Sequence, residues 1–191
     1  MNKAMIRTML AVPETGQETP EGFWRRASVL ALFTETSQGL SLLFTRRTEH
    51  VVDHKGQVSF PGGAVEPADE SLEATALRET LEEIGIQSTD IEILGRSRDM
   101  FTISGWWITP VIGWYANHNG FVLNPKEVTR VFTIPIDWLS RRKNWNFRSY
   151  VRDGIIRENV IYYAEYDGEI LWGITAQLVH DLLQKIRLLE E

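Results

Sequence analysis

Residues 62–86 read GGAVEPADESLEATALRETLEEIGI, and the rest of the chain is organised around them. From Asp69 to Ile86 the stretch carries six acidic residues and one basic residue, Arg78. Apolar residues recur at spacings of three and four, which predicts an amphipathic helix. The members of this predicted buried stripe are Ala74, Leu77, Leu81 and Ile84. Asp69 is predicted as the N-cap, and Gly85 as the residue that ends the last turn.

Three glutamates of the predicted helix, Glu79, Glu82 and Glu83, are expected opposite the apolar stripe. At 100° per residue they fall within about 100° of one another. Like charges at these spacings repel by about 0.2–0.5 kcal/mol per pair, and no lysine between them offsets the repulsion. We therefore expect a positively charged group at this face.

Carboxylates clustered without cysteine or histidine are hard oxygen ligands, which suit Mg²⁺ or Mn²⁺. Such ions activate water and neutralise charge on a phosphoryl group. Arg78 lies at the flank of the acidic face, where it could orient a glutamate or contact a substrate. Gly62 and Gly63, just before the helix, allow the backbone to approach a phosphate closely.

The composition limits the classes of protein to consider. With 191 residues and 43% hydrophobic content, the chain can form one domain with a sizeable core. A net charge of −6 argues against nucleic-acid and anionic-membrane binding. The absence of cysteine excludes disulfides, thiolate zinc sites and a cysteine nucleophile. No apolar run approaches the about 18 residues of a membrane span, and no basic-then-apolar leader opens the chain, so we expect a cytoplasmic protein.

The remaining sequence predicts short strands mixed with a few helices, which implies an α/β fold with a mixed sheet covered by helices. Strands are predicted at residues 27–34, 40–46, 91–96, 107–115 (interrupted by Pro110), 128–134 and 159–166, with a short segment at 57–60. Helices are predicted at 1–10, 136–142 and 173–189. Residues 61–63 should break the chain sharply, and 13–22 read as a polar connection. We expect a single domain over residues 25–191, preceded by an N-terminal extension over 1–24.

Residues 63–86 resemble the Nudix box, written G-x5-E-x7-R-E-U-x-E-E-x-G-U with U apolar. The matching residues are Glu70, Arg78, Glu79, Glu82, Glu83, Gly85 and Ile86. There are two departures: Thr80 stands where an apolar residue is expected, and the first glycine comes one residue early, at Gly63. The resemblance implies a Nudix-type α/β/α sandwich and attack of water on a diphosphate linked to a further group.

The resemblance also implies roles for particular residues. Glu79, Glu82 and Glu83 would be the ligands of Mg²⁺ or Mn²⁺, with Glu79 and Glu83 the principal pair. Glu127 resembles a downstream glutamate that often approaches the metals, and a surface loop acid is the alternative interpretation. Nudix enzymes draw the general base either from the box or from a later loop, so the base stays open.

Residues 43–63, LFTRRTEHVVDHKGQVSFPGG, resemble the signature of the coenzyme A pyrophosphatase branch of that family. The matching residues are Thr45, Arg47, Gly56, Phe60, Pro61, Gly62 and Gly63. This branch would cleave coenzyme A or its derivatives to 3′,5′-ADP and 4′-phosphopantetheine, or its acyl form. Val52 stands where the branch has an arginine, which favours the alternative substrates ADP-ribose, NADH or a nucleoside triphosphate.

Other residues and alternatives complete the prediction. The candidate phosphate-binding residues are Arg25, Arg26, Arg46 and Arg47. His50 and His54 are candidate phosphate contacts or bases, or simply parts of a polar loop.

A non-catalytic nucleotide-sensing module is the alternative from a different class, and the intact set of Arg78 and the three glutamates argues against it. The expected partner is a small nucleotide-diphosphate substrate, with no nucleic acid and no membrane. Homodimerisation is expected from the resemblance alone.

Overall fold

The computed structural model describes residues 2–11, 21–22, 24–49, 55–116, 120–152 and 155–190. Four α-helices lie within these residues: α1 (Lys3–Leu10), α2 (Leu72–Ile84), α3 (Ile136–Ser140) and α4 (Gly173–Lys185). The first seven strands are β1 (Arg25–Thr36), β2 (Gly39–Arg47), β3 (Val58–Ser59), β4 (Gly62–Ala64), β5 (Ile91–Arg96), β6 (Met100–Phe101) and β7 (Trp106–Tyr115). The last four are β8 (Val128–Pro135), β9 (Trp145–Arg152), β10 (Ile155–Tyr166) and β11 (Glu169–Trp172).

The main sheet is mixed, as the sequence predicts. Its central path runs β3-β2-β1-β7-β5, while β4 pairs with β1, β6 with β7 and β8 with β2. The pair β1–β7 is parallel and the other pairs are antiparallel. The predicted strands at 27–34 and 40–46 pair as a hairpin of β1 and β2, with Thr36 paired to Gly39 at its turn. Strand β1 is therefore at the centre of the sheet, between the two helical layers.

Two hydrophobic cores lie on opposite faces of this sheet. Leu30 and Leu32 of β1 pack with Ala76 and Ile84 of α2 on one face. The alternate residues of β1, among them Phe33, belong to the larger core that contains α1 and α4. Since successive side chains of a strand point to opposite faces, β1 is apolar on both, as its continuous apolar run predicts. The predicted α/β/α layering is confirmed.

A second sheet, ordered β11-β10-β9, lies beside the main one. The turn at Asp167 and Gly168 joins β10 to β11. Strand β9 is missing from the sequence prediction, because residues 145–152 mix polar and basic side chains with aromatic ones, and β10 begins earlier than predicted. In the part of the chain that the structure describes, no helix is long and apolar enough to cross a membrane.

Several predicted boundaries are wrong. Residues 61–63 do not simply break the chain, because β4 pairs Gly62 with Val29 of β1. Strand β7 is not interrupted at Pro110, whose carbonyl accepts a hydrogen bond from the Ser97 N–H at 2.9 Å. Helix α4 ends at Lys185 and α3 at Ser140, before the predicted ends. Most of the predicted connection at 13–22 lies outside the described residues.

Candidate active site

Helix α2 begins at a different residue, and buries a different face, from those predicted. Ser71 is its N-cap, accepting a hydrogen bond from the Ala74 N–H, so the prediction of Asp69 as N-cap is wrong. Leu81, predicted in the buried stripe, is 40% exposed, whereas Glu83 is 1% exposed. Thr80 is also fully buried, and its hydroxyl donates to the Ala76 carbonyl at 2.7 Å. The acidic face is thus turned partly toward the protein and not away from it.

Which face of α2 is buried depends on the partners that its glutamates contact. Apolar spacing alone places Leu81 inside, because burying apolar area is favourable and burying a lone carboxylate is costly. Here Arg47 of β2 reaches the Glu83 carboxylate, and Arg78 reaches Glu79. These two arginines are the positive groups that the like-charged glutamates require. The sequence predicts the contact of Arg78 with a glutamate, but it does not reveal the partner of Glu83, because Arg47 lies in a distant strand, β2.

Arg78 connects the helix to the loop before it. Its Nε and Nη2 donate to the two carboxylate oxygens of Asp69, each at 3.0 Å. Its Nη1 donates to Glu79 at 2.9 Å, and its Nη2 also donates to the Ala64 carbonyl at 3.0 Å. The Arg78 guanidinium, helped by the Glu66 N–H, holds the pKa of the Asp69 carboxyl well below its usual range. Arg78 therefore fixes the position of the Glu79 carboxylate.

Gly63 lies directly against Glu79. A Cβ atom added to Gly63 would be 2.4 Å from the Glu79 Oε1, which is closer than atoms can approach. Gly62 is needed for a different contact, because a Cβ there would be 2.4 Å from the Ser28 carbonyl of β1. Burial raises the pKa of Glu79, and its ion pair with Arg78 opposes that rise. The two glycines thus bring the backbone next to the glutamates, where a phosphate could also approach.

Glu83 is the most buried acid of the site. Burial raises its pKa to about 8, and Arg47, whose Nη1 is 3.4 Å from Oε1, opposes the rise. The negative charges of Glu79 and Glu127 add to the rise in the pKa of Glu83. The other oxygen, Oε2, is buried and has no hydrogen-bond partner among the described residues. A buried carboxylate oxygen without a donor is an expected feature of a cation ligand.

Glu127 belongs to a loop that closes over the end of α2. The Asn124 N–H donates to the Glu83 carbonyl at 2.9 Å, and the Val122 N–H donates to the Ile84 carbonyl at 3.0 Å. The Asn124 side-chain amide donates to the Glu127 carboxylate at 3.0 Å. The loop satisfies carbonyls at the helix end, and the charge of Glu127 contributes to the raised pKa of Glu79 and of Glu83. Asn124 thus holds the Glu127 carboxylate in place, and the catalytic role of Glu127 stays a prediction.

The other predicted residues are placed differently. Glu82 is exposed and 3.4 Å from Arg78, so it is the least enclosed of the three glutamates. Arg46 donates to Glu169 at 3.1 Å and joins β2 to β11 instead of facing the glutamates. Arg25 stacks on Trp106 and Arg26 on Trp107. His50, Val52 and His54 lie outside the described residues.

The residues present fit a divalent cation. No three carboxylate or histidine side chains among the described residues are gathered closely enough to hold a metal by themselves. Glu83 and Glu79 are instead paired with Arg47 and Arg78. Magnesium needs only one or two protein carboxylates when water and substrate phosphates complete its shell. Glu79 and Glu83, with the unpartnered Oε2 of Glu83, meet that need.

The sequence prediction missed the roles of two residues in the site. Asp69, predicted as a cap, holds Arg78, and nothing in its spacing of nine residues signals that contact. Asn124 orients Glu127, and here a signal exists in the sequence. Asn124 precedes Pro125, a pair typical of turns, and its side chain accepts a hydrogen bond from the Lys126 N–H at 3.2 Å.

Gly63→Ala is expected to lower kcat by about tenfold or more while the fold persists. The added methyl would have to displace the Glu79 carboxylate, and a shift of about 1 Å in a catalytic group can reduce the rate a hundredfold. Steady-state kinetics and a melting curve of the same preparation measure both effects. Activity equal to that of the wild type would contradict this placement of Glu79.

Comparisons with known proteins agree with this geometry. The NUDIX domain family matches residues 24–152. An uncharacterized Nudix hydrolase NudL of Photorhabdus laumondii is 33% identical over 147 residues, covering 77% of this chain and 78% of the relative. The NudL of Yersinia pestis (strain Pestoides F) is 35% identical over 146 residues, covering 76% and 72%. A MutT/nudix family protein from Enterococcus faecalis superposes with a TM-score of 0.55 at 20% identity, covering 90% of this chain and 65% of that one.

The chain therefore belongs to the Nudix family, and it is a hydrolase of that family. The predicted Nudix resemblance is confirmed at this level, and with it the prediction of an enzyme. Nudix hydrolases generally use divalent metal ions, in agreement with the fit of Glu79 and Glu83.

Proposed function

We propose that this chain hydrolyses the diphosphate linkage of coenzyme A or its acyl derivatives, in the presence of Mg²⁺ or Mn²⁺. The products would be 3′,5′-ADP and 4′-phosphopantetheine, or its acyl form. The observation that carries the diphosphate chemistry is the buried, unpartnered Oε2 of Glu83 beside Glu79 and Glu127. The coenzyme A assignment rests on the signature at residues 43–63. One of its residues, Arg47, contacts Glu83 in the site.

Other residues of the signature shape the loop that leads to the site. The Thr45 hydroxyl lies 3.1 Å from that of Ser59, and Phe60 stacks on Phe44 with ring centroids 4.9 Å apart. Gly62 then allows β4 to lie against β1. The assignment to the coenzyme A pyrophosphatase branch is therefore supported by the way these signature residues shape the loop, in addition to the charged contact of Arg47.

In the proposed reaction, water attacks one phosphorus of the diphosphate and the bridging P–O bond breaks. Glu79, Glu83 and the more exposed Glu82 would hold the cation, which supplies charge neutralisation and lowers the pKa of bound water. Arg78 keeps Glu79 in place, and the backbone at Gly62 and Gly63 leaves space for a phosphate. The proton from water passes to a carboxylate, for which we propose Glu127, held in place by Asn124.

A product assay over coenzyme A, acetyl-coenzyme A, NADH, ADP-ribose and deoxynucleoside triphosphates tests the proposal. Coenzyme A or its acetyl form is expected to have the highest kcat/KM, and 3′,5′-ADP is expected among the products. The Glu83→Gln protein serves as the control for a contaminating hydrolase. Faster cleavage of another compound with no cleavage of coenzyme A would overturn the coenzyme A assignment. That outcome would favour the alternative substrates indicated by Val52.

A further inference from the structure

A group of aromatic rings with one arginine lies near the active-site loop. The Arg26 guanidinium carbon is 4.4 Å from the centroid of the Trp107 ring. Phe101 is 5.2 Å from Trp107 and Trp24 is 5.3 Å from Phe101, between ring centroids. We call these four residues the aromatic platform. None of them has a part in the reaction described above.

The platform lies on the same face of the sheet as α2. Arg26 is paired with Trp107 across β1 and β7, so the two side chains share a face. Arg26 is also on the face of Leu30 and Leu32, since it is an even number of residues from them, and those leucines pack against α2. Phe101 joins this face because β6 pairs it with Trp107.

The platform is also close to the catalytic loop. In β1, Ala27 is paired with Ala64 of β4 on one side and with Ile108 of β7 on the other. Two strand spacings, about 10 Å, therefore separate β4 from β7. The Val65 N–H donates to the Arg26 carbonyl at 2.9 Å, and the neighbouring Ala64 carbonyl accepts from Arg78. A nucleotide whose phosphate lies at β4 would have its base over this part of the sheet.

The platform is held in a fixed orientation. The Trp107 Nε1–H donates to Asp99 at 2.8 Å, and Asp99 also accepts from the buried Thr109 hydroxyl at 2.7 Å. Arg26 is exposed, and its guanidinium makes no hydrogen bond or ion pair within the part of the chain that the structure describes. A planar cation resting on an indole offers a flat surface for a base to stack on.

We propose that the aromatic platform binds the adenine base in the nucleotide half of the substrate, with Arg26 stacking on it. The choice of adenine as the base rests on the proposed function, but binding of a nucleotide can be measured without hydrolysis. Every base has a flat face that can stack on such residues. The platform therefore supplies affinity for a nucleotide more than selection among bases.

Binding of AMP in the presence of Mg²⁺, measured by calorimetry, tests the platform. Arg26→Ala is expected to weaken AMP binding about tenfold, the scale of losing one stacked base. Arg26→Lys should weaken it similarly, since lysine keeps the charge but not the plane. Inhibition by pyrophosphate, which has no base, should stay unchanged in both variants.

Arg25→Ala is the matched control. Arg25 is the preceding residue of β1 and rests on Trp106 at 4.1 Å, the same kind of contact, but on the opposite face of the sheet. This variant removes the same charge and should bind AMP like the wild type. The proposal is overturned if Arg26→Ala binds AMP like Arg25→Ala, or if Arg26→Lys binds like the wild type.

The two proposals can fail separately. Normal AMP binding by Arg26→Ala, in an enzyme that cleaves coenzyme A, would overturn the platform alone. Loss of AMP binding in Arg26→Ala, in a protein that cleaves none of the coenzyme A compounds, would overturn the proposed function alone. Comparing coenzyme A with its form lacking the 3′-phosphate adds a further check, because the loss of a stacking residue in Arg26→Ala should raise both KM values equally. An effect on coenzyme A alone would assign Arg26 to the phosphate and overturn stacking.

Discussion

Glu83→Gln is expected to lower kcat about a hundredfold or more, equivalent to about 2.7 kcal/mol of activation free energy. The substitution keeps the shape of the side chain, and the amide oxygen can still accept a hydrogen bond from Arg47. What it removes is the negative charge that Glu83 would carry as a cation ligand, together with one of its two acceptor oxygens. We therefore expect a folded protein with a wild-type melting temperature and almost no hydrolysis.

Two controls on the same helix make this result specific. Glu73→Gln removes a carboxylate that pairs with Arg96 outside the site and should leave kcat unchanged. Glu82→Gln removes an exposed carboxylate whose side chain is 54% accessible, and should lower kcat less than Glu83→Gln. Isothermal titration with Mn²⁺ should show weaker binding for Glu83→Gln than for Glu82→Gln. A fall in kcat of less than about tenfold, or 1.4 kcal/mol, would show that Glu83 is not a principal metal ligand.

The sequence predicts most of the fold because its strands are strongly apolar. The run in β1 is apolar on both faces, and its partner β2 follows after a short turn, so their hairpin can be inferred locally. Strand β9 could not be inferred, because its stability comes from pairing with β10 and not from its own composition. The Pro110 boundary was wrong for a similar reason. The ladder tolerates the missing N–H where the carbonyl still finds a partner.

The site shows the same division between local and distant causes. Glu79, Glu82 and Glu83 are a local pattern of one helix, so the sequence identifies them. Which of them is buried depends on Arg47, which follows from the arrangement of β2 against α2. The contact between Asp69 and Arg78 depends on the path of the loop between β4 and α2. Spacing arguments can find residues on one element, but they cannot find partners that meet through the fold.

Arg78→Ala is expected to reduce the free energy of unfolding by about 2 kcal/mol, because it removes the charged hydrogen-bond donor of two carboxylates. The Asp69 side chain is only 5% exposed and its two oxygens both accept from Arg78. Glu79 loses its cation as well. In a domain of this size, the melting temperature should fall by about 4–8 °C. Hydrolysis should fall too, since Glu79 is no longer held.

Arg96→Ala is the matched control for stability. It removes another arginine that pairs with a glutamate of α2, but the Arg96 side chain is 45% exposed. Such a pair contributes about 0.2–1 kcal/mol, so the melting temperature should change little. Chemical denaturation of both variants gives the two free energies directly. Equal losses for Arg78→Ala and Arg96→Ala would contradict a role for Arg78 in neutralising enclosed carboxylates.

The double variant Asp69→Asn/Arg78→Ala separates the charge from the hydrogen bonds. If the loss in Arg78→Ala comes from an enclosed, uncompensated carboxylate, replacing that carboxylate with an amide should restore part of the stability. The two substitutions should then be non-additive, with a coupling free energy above about 1 kcal/mol. Activity should not return, because Glu79 still lacks Arg78. Stability would thereby depend on Asp69 together with Arg78, while catalysis would depend on the contact of Arg78 with Glu79.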